Sequence, residues 1–162
     1  MATVYLGLGS NIDVERNLRL AISKLRSLYG DLTVSPVYSS AALGFDGPDF
    51  LNLVVAFVTD SSPLQIIEQS ERIHEMAGRR RGPNKYSSRP LDIDLLLYGE
   101  LVDPDPPLRL PRRDVLEHSF VLGPLADIAP DLVPPVTGRT IAEHWREFDV
   151  DSHPLTLVDV IL

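Results

Sequence analysis

Two carboxylates stand two residues apart in the segment RPLDIDLLLYG, which covers residues 89–99. The apolar residues around Asp92 and Asp94 predict a β-strand, and side chains alternate along a strand. Both carboxylates therefore share one face, roughly 7 Å apart at their α-carbons. The residues expected on the opposite face, in the core, are Leu91, Ile93 and Leu95. Such a pair can bind Mg²⁺, which keeps positions for phosphate and water. A solvated strand face is the alternative, and the pattern alone favours it.

A basic island, residues 78–90, precedes this strand on an otherwise acidic chain. The net charge is −8, yet the island contains no acidic residue. Its cations are Arg79, Arg80, Arg81, Lys85 and Arg89. Because arginine binds phosphate oxygens well, arginines beside metal-binding carboxylates are what phosphoryl transfer requires. A solvated loop is the alternative for the island taken alone.

Composition limits the class of protein. At 162 residues the chain is long enough for one domain with a core, so we expect residues 1–162 to form a single domain. The absence of cysteine excludes disulfides and a cysteine nucleophile, and it suits the cytoplasm. No signal peptide or membrane span is evident, and the acidic balance argues against nucleic-acid binding. We therefore expect a cytoplasmic protein that binds neither membranes nor nucleic acids.

The hydrophobic periodicity predicts the order β-α-β-β-α-β in the first hundred residues. The strand TVYLGLGS precedes a helix that begins near Val14 and ends at Gly30. LTVSPVYSS and LNLVVAFVTD are the next strands, and Pro36 favours an edge position for the first. Ser62 and Gln65 predict a capping box at the second helix. Two short helices and a late strand follow. This order predicts an α+β, ferredoxin-like sandwich of a mainly antiparallel sheet and flanking helices, with the helices on one face.

Other candidate residues are weaker signals. GLGSN, residues 7–11, lacks the third glycine of a dinucleotide fingerprint and the lysine of a phosphate loop, so a tight strand-to-helix turn is the better interpretation. Phe50 and Phe120 are aromatic residues near loop edges, for which core packing is the default. The four histidines form no metal cluster in the sequence.

Taken together, five segments resemble the 6-hydroxymethyl-7,8-dihydropterin pyrophosphokinase family, in order from about Val4 to Leu132. They are GLGSN, LGFDGPDFLN, the basic island, the R-x-x-D-x-D motif and SFVLGPLADIAPDL. The resemblance implies a ferredoxin-like fold and transfer of the terminal pyrophosphoryl unit of ATP to the pterin hydroxymethyl group, with release of AMP, in folate biosynthesis. It also implies two Mg²⁺ ions between the triphosphate and Asp92 and Asp94.

The resemblance further implies three sets of site residues. The catalytic set is Arg79, Arg89, Asp92 and Asp94, and the two aspartates also bind the metal. The pterin set is Ser40, Ala41, Leu43, Phe50, Asn52, Asp92 and Phe120. In that set the two phenylalanines would stack on the ring and Asn52 would bond its polar edge. The ATP set is Glu71, His74, Arg79, Arg81, Tyr86, Arg89, Leu95, Arg112, Arg113 and His118.

The chain departs from the family pattern where the phosphates would bind. The family usually has Glu at His74, His at Arg112 and Arg at His118, and some members have Trp at Tyr86. A catalytically weak regulatory module that binds a pterin or a nucleotide is therefore the alternative function. In either case the expected partners are small molecules, ATP and 6-hydroxymethyl-7,8-dihydropterin, bound by a monomer or weak dimer.

Overall fold

One antiparallel sheet organises the protein. The computed structural model describes residues 1–44, 46–78 and 90–162. In these residues the strands are β1 (Ala2–Ser10), β2 (Thr33–Val34), β3 (Val37–Ser40), β4 (Phe50–Thr59), β5 (Asp92–Tyr98) and β6 (Thr156–Val158). They lie in the order β5-β1-β4-β3-β6, and β2 pairs with β4. The strand that carries the two carboxylates is thus at one end of the sheet.

Helices pack on both faces of this sheet. They are α1 (Val14–Tyr29), α2 (Pro63–Met76), α3 (Asp114–Glu117), α4 (Ser119–Ile128) and α5 (Ile141–Glu147), with a 3₁₀ turn at Val150–Ser152. The order of strands and helices confirms the ferredoxin-like prediction. The expectation that helices cover one face holds for α1 and α2 only, because α4 and α5 cover the other. None of the helices in the described ranges has the length and apolar composition needed to cross a bilayer.

Two hydrophobic cores lie on opposite faces of the sheet. The first core, on the α1 face, joins β1, α1, α2 and β5 and includes Leu6, Leu18, Ile66, Ile93 and Leu95. The second core, on the α4 face, joins β4, β5, α4 and α5 and includes Val54, Leu96, Leu97, Leu122 and Ile141. The strand β5 therefore contributes side chains to both cores, which fixes it firmly although, in the described residues, it is at the end of the sheet.

A β-bulge explains why three consecutive leucines of β5 are all buried. Leu95 pairs with Leu6 and Leu97 pairs with Tyr5, so Leu96 is an extra residue in β5. The bulge shifts the alternation, and Leu96 and Leu97 both reach the second core while Leu95 stays in the first. The prediction that Leu91, Ile93 and Leu95 face the core opposite the carboxylates is confirmed.

The segment LTVSPVYSS forms two strands where the sequence predicted one. At the break, the Ser35 backbone N–H donates to the Val54 carbonyl over 2.9 Å, and Ser35 Oγ accepts from the Val54 N–H over 2.8 Å. The serine therefore continues the pairing where Pro36, which has no N–H, interrupts it. The predicted edge position is wrong for β3, because β6 pairs with its outer side.

Candidate active site

The two carboxylates lie on the α4 face of the sheet. Asp92 pairs across the sheet with Gly9, and Asp94 pairs with Gly7. On the far side of β1, Gly9 pairs with Asn52 and Gly7 with Val54, a residue of the second core. Since paired residues share a face, Asp92, Gly9 and Asn52 form one row across three strands.

The glycines of GLGSN keep the middle of this row open. A Cβ atom at Gly9 would lie 3.2 Å from Asn52 Oδ1, and one at Gly7 would lie 3.4 Å from a methyl carbon of Leu96. No side chain of β1 therefore stands between Asp92 and Asn52, whose strands are roughly 10 Å apart. We call the space over Gly9, between Asp92 and Asn52, the gap; the Asn52 amide and the Phe50 ring both border it.

The rest of GLGSN ties neighbouring loops to the end of β1. Ser10 is fully buried, and its Oγ lies 2.5 Å from the carbonyl oxygen of Pro90, two residues before Asp92. Asn11 Nδ2 donates to the carbonyl of Pro48 over 3.2 Å, just before β4. Residues 7–10 of the motif lie in β1, so the prediction of a turn is wrong for them, and the motif anchors the segments that lead into both polar strands.

Asn52 is oriented by hydrogen bonds to β3. Its Nδ2 donates to Ser40 Oγ over 2.8 Å and to the Tyr38 carbonyl over 3.4 Å. Because a carbonyl can only accept, the amide nitrogen must face β3, and Oδ1 faces the gap above Gly9. A ligand N–H in the gap would find an acceptor there. Ser40 and Asn52 are both buried, so this orientation is sheltered from solvent.

The remaining residues of the predicted pterin set surround the gap less closely. Phe50 begins β4 opposite Ser40, on the same face as Asn52. Ala41 and Leu43 are exposed on the loop that follows β3. Phe120 lies in the first turn of α4, and its ring stacks on His118 with centroids 4.9 Å apart and planes 9° apart. His118 thus covers one face of the Phe120 ring, and Phe120 is also partly buried against the second core.

Arg112 is placed beside the carboxylates by backbone pairing. Its N–H donates to the Leu96 carbonyl on the edge of β5 over 3.0 Å. Its Nη2 lies 3.5 Å from Asp94 Oδ1, and its Nε lies 3.2 Å from Asp114 Oδ2. Burial disfavours the guanidinium charge, but the carboxylates of Asp94 and Asp114 outweigh this and raise the pKa of Arg112. A permanent cation therefore stands next to Asp94.

Arg113 and Leu95 have surroundings of a different kind. Arg113 pairs with Glu117 over 3.2 Å on the surface, where its side chain is 87% exposed. Leu95 is buried in the first core. The predicted contacts of both with ATP stay predictions.

His74 lies under the carboxylate strand. It is buried in α2, and its Nε2 accepts a hydrogen bond of 2.8 Å from the backbone N–H of Ile93. Its Nδ1 lies 3.5 Å from Glu71 Oε1. Its observed partner is thus the strand backbone between Asp92 and Asp94, and the predicted ATP contacts of His74 and Glu71 stay predictions.

Four predicted residues lie outside the described residues: Arg79, Arg81, Tyr86 and Arg89. The contribution of the basic island to the site therefore stays a prediction.

The carboxylate pair fits a hard divalent cation bound together with a phosphate ligand. No cluster of three or more His, Asp or Glu residues that could hold a metal occurs in the described parts of the chain. Asp94 keeps 32% of its side chain exposed, and glycines face both aspartates across β1. Mg²⁺ is commonly bound through one or two carboxylates, with its other positions filled by phosphate and water. Two carboxylates beside an open gap therefore suit Mg²⁺.

Comparison with known proteins places the chain in a family. The model of the 7,8-dihydro-6-hydroxymethylpterin-pyrophosphokinase (HPPK) family matches residues 5–130. The chain belongs to the HPPK family. The 2-amino-4-hydroxy-6-hydroxymethyldihydropteridine pyrophosphokinase of Haemophilus influenzae is 36% identical over 91% of this chain and 94% of its own length. The Pseudomonas aeruginosa protein of the same name is 38% identical over 86% of this chain and 88% of its own.

A solved structure shares the fold of this HPPK chain. The wild-type HPPK-DHPS of Plasmodium falciparum superposes with a TM-score of 0.68 at 13% sequence identity. The match covers 90% of this chain and 44% of that longer one. At this identity the likeness concerns the fold alone, and it agrees with the ferredoxin-like assignment.

Sequence reasoning missed that the glycines of GLGSN lie opposite the two aspartates. We interpreted Gly7 and Gly9 as turn residues, whereas both lie within β1, directly opposite the aspartates. The signal was available in the spacing. Two glycines at positions i and i+2 of a strand leave one face of that strand without side chains, just as Asp92 and Asp94 place two carboxylates on one face of β5. The pairing of the two strands, however, is a tertiary fact.

An exposed contact between Tyr38 and Asp127 was also missed. Tyr38 Oη donates to Asp127 Oδ2 over 2.5 Å, which joins β3 to the last turn of α4. Burial and this hydrogen bond raise the pKa of Tyr38 to about 12. Asn52 bonds the carbonyl of Tyr38, whereas Phe120 belongs to α4. The hydrogen bond from Tyr38 to Asp127 therefore connects the two sides of the gap.

Asp127→Asn should lower the pKa of Tyr38 from about 12 toward its usual 10.0, because the amide has no negative charge to oppose phenolate formation. The tyrosine proton is retained more strongly in the folded state. The stabilisation of the folded state by this retained proton is therefore complete below pH 10, and it is lost as the pH rises through about 12. Ring-carbon NMR titration of Tyr38 measures the change. Asp131→Asn is the control, and an unchanged Tyr38 midpoint in Asp127→Asn would contradict the assignment.

Proposed function

We propose that Asp92, Asp94 and the gap bounded by Asn52 form the catalytic site of a pyrophosphokinase. As an HPPK, the chain transfers the terminal pyrophosphoryl unit of ATP to the hydroxymethyl group of 6-hydroxymethyl-7,8-dihydropterin in folate biosynthesis. The observation that carries the site assignment is the row Asp92–Gly9–Asn52, in which a carboxylate and an amide acceptor lie on one face with only a glycine between them.

The reaction requires one bond to form and one to break. The hydroxymethyl oxygen bonds to the β-phosphorus of ATP, and the bond from that phosphorus to the oxygen bridging it to the α-phosphorus breaks. The bridging oxygen leaves with AMP, and the hydroxyl proton is released. Such transfers require little covalent participation by the protein, so alignment and charge neutralisation are its main contributions. This agrees with a site built from carboxylates and arginine.

The acceptor would occupy the gap above Gly9. Asn52 Oδ1 would accept from a ring N–H, and its orientation is already held by Ser40 and the Tyr38 backbone. Phe50 and Phe120 would stack on the ring, which is favourable for flat heteroaromatic groups. Asp92 is in the same row as Asn52, so it lies nearer the acceptor than Asp94 does.

The donor would lie over Asp94 and Arg112. Asp92 and Asp94 would hold two Mg²⁺ ions, which would supply positive charge to neutralise the triphosphate. Arg112 already lies beside Asp94 and also pairs with Asp114, two residues further along the chain. Its guanidinium can turn toward a phosphate. From the basic island, Arg79, Arg81 and Arg89 are proposed to complete the phosphate contacts. His118, Arg113, Tyr86 and Leu95 remain proposed ATP contacts.

Residues 1–162 are proposed to act as a single pyrophosphokinase domain, with ATP as co-substrate. The first and second cores both contain residues of β5. The position of the proposed metal-binding strand therefore depends on packing on both faces of the sheet. A monomer or weak dimer would suffice, because every site residue named above comes from one chain.

Release of AMP tests the activity directly. The purified chain, incubated with ATP, Mg²⁺ and the dihydropterin alcohol, should produce AMP and the pterin pyrophosphate in equal amounts, and little AMP without the pterin. Chromatography of the nucleotides measures both. Formation of ADP would contradict pyrophosphoryl transfer, and tight pterin binding without any AMP would favour the regulatory module instead.

Asp94→Asn should lower kcat at least about 100-fold, since even groups that only support a metal ligand commonly matter 10–100-fold. The substitution keeps the shape of the side chain, so the melting temperature should change little. Asp31→Asn, an exposed change just beyond α1, is the matched control and should keep the wild-type rate. A wild-type rate in Asp94→Asn would remove this residue from the proposed metal site.

Phe120→Leu should raise KM for the pterin by about 5- to 100-fold and leave KM for ATP within about twofold, because stacking of a base on an aromatic ring contributes about 1–3 kcal/mol. Leucine keeps an apolar side chain in α4 but removes the flat surface. Leu116→Ala, at a partly exposed position in α3, controls for general loosening of this region. Equal changes in both KM values would argue against a stacking role for Phe120.

A further inference from the structure

The backbone between the two aspartates is held by an imidazole. Among the strands in the described residues, β5 is at one end of the sheet, and β1 is its neighbour. The N–H of Ile93 donates to His74 Nε2 over 2.8 Å, so this N–H points away from β1, toward the edge. His74 is 4% exposed and Ile93 is 5% exposed. The histidine thus satisfies a buried edge amide for which water is not a ready substitute.

The hydrogen bond determines which nitrogen of His74 carries the proton. A backbone N–H can only donate, so Nε2 must be unprotonated. In the neutral ring the proton is then on Nδ1, which lies 3.5 Å from Glu71 Oε1, one helical turn earlier. The glutamate carboxylate favours that tautomer and holds the ring in position. Supporting carboxylates of this kind orient histidines that bind metals in other proteins; here the histidine binds a backbone amide.

Ile93 is the residue between Asp92 and Asp94, so fixing its amide fixes the chain that joins them. Three contacts act on this point from different directions: the ladder to Gly7 and Gly9, the Ile93 side chain in the first core, and the His74 imidazole at the edge. The ladder and the core restrain the strand in general. Among the described residues, the imidazole is the side chain that bonds the Ile93 N–H, between the two carboxylates.

We propose that His74 is a positioning residue for the metal-binding pair: by accepting from the Ile93 N–H, with Glu71 holding its tautomer, it sets the separation and direction of the Asp92 and Asp94 carboxylates. The inference rests on the proposed function and deepens it. It assigns His74 to the strand backbone, and it predicts that the acceptor at this position controls the affinity for the divalent cation more than the affinity for the pterin.

The test compares His74→Met with His74→Gln in the full chain. Glutamine Oε1, like Nε2 of histidine, is three bonds from Cβ and can accept the Ile93 N–H. The methionine terminal carbon is also three bonds from Cβ but cannot accept. His74→Met should raise the Mg²⁺ concentration for half-maximal activity about 10- to 100-fold, as loss of outer support to metal ligands does. His74→Gln should stay within about threefold of wild type, and pterin KM should stay within about twofold in both.

Two measurements do not depend on turnover. Calorimetric titration of Mn²⁺ into the complex with a non-hydrolysable ATP analogue should show the same order of affinities. Amide hydrogen exchange should show loss of protection at Ile93 in His74→Met and recovery in His74→Gln. Ile73→Val, at the adjacent buried position of α2, controls for loss of packing and should leave metal affinity unchanged.

Two results would overturn the inference. The first is that His74→Met loses protection of the Ile93 amide but binds the metal as tightly as wild type. The second is that His74→Met and His74→Gln lose metal affinity equally. If His74→Met does not fold, His74→Asn replaces it, because its acceptor is one bond too short to reach. Failure of the wild-type chain to release AMP would contradict the proposed function instead, while the exchange and Mn²⁺ measurements would still decide the role of His74.

Discussion

The site depends on holding two carboxylates side by side on a strand that must also be buried. Like charges this close repel, and each requires water or a cation. The structure resolves the conflict by dividing β5 between its faces. Ile93 and Leu95 anchor the α1 face in the first core, while Asp92 and Asp94 face the opposite side, where the glycines of β1 leave space. After the bulge, Leu96 and Leu97 close the second core directly beyond the carboxylates.

The two helical layers have different tasks around this strand. On the α1 face, α2 supplies both apolar packing and the imidazole that caps the strand edge. On the α4 face, Asp92 and Asn52 lie in one row with Gly9 between them. The boundary of the gap is held by polar contacts, since Tyr38 joins β3 to α4 through Asp127 and also bonds Asn52 through its carbonyl. Catalytic and binding side chains thus rest on elements that are fixed from behind.

The departures from the family pattern acquire physical meaning in this arrangement. Arg112 stands beside Asp94 as a permanent cation that is available without a change of protonation, whereas a histidine there would titrate near neutral pH. His118 stacks on Phe120 and so supports the ring from one side. His74 serves the strand backbone. These substitutions are therefore compatible with an intact site, and the geometry around each gives it a definite contact.

The sequence by itself determined the family, the order of strands and helices, and the shared face of Asp92 and Asp94, because periodicity and local capping are properties of short segments. It could not show that GLGSN lies opposite these aspartates, that a bulge turns Leu96 and Leu97 to the same core, or that β6 covers β3. Nor could it show that His74 meets the amide of Ile93. Each of these depends on strand order and register between segments far apart in the chain, and only the packed tertiary structure decides them.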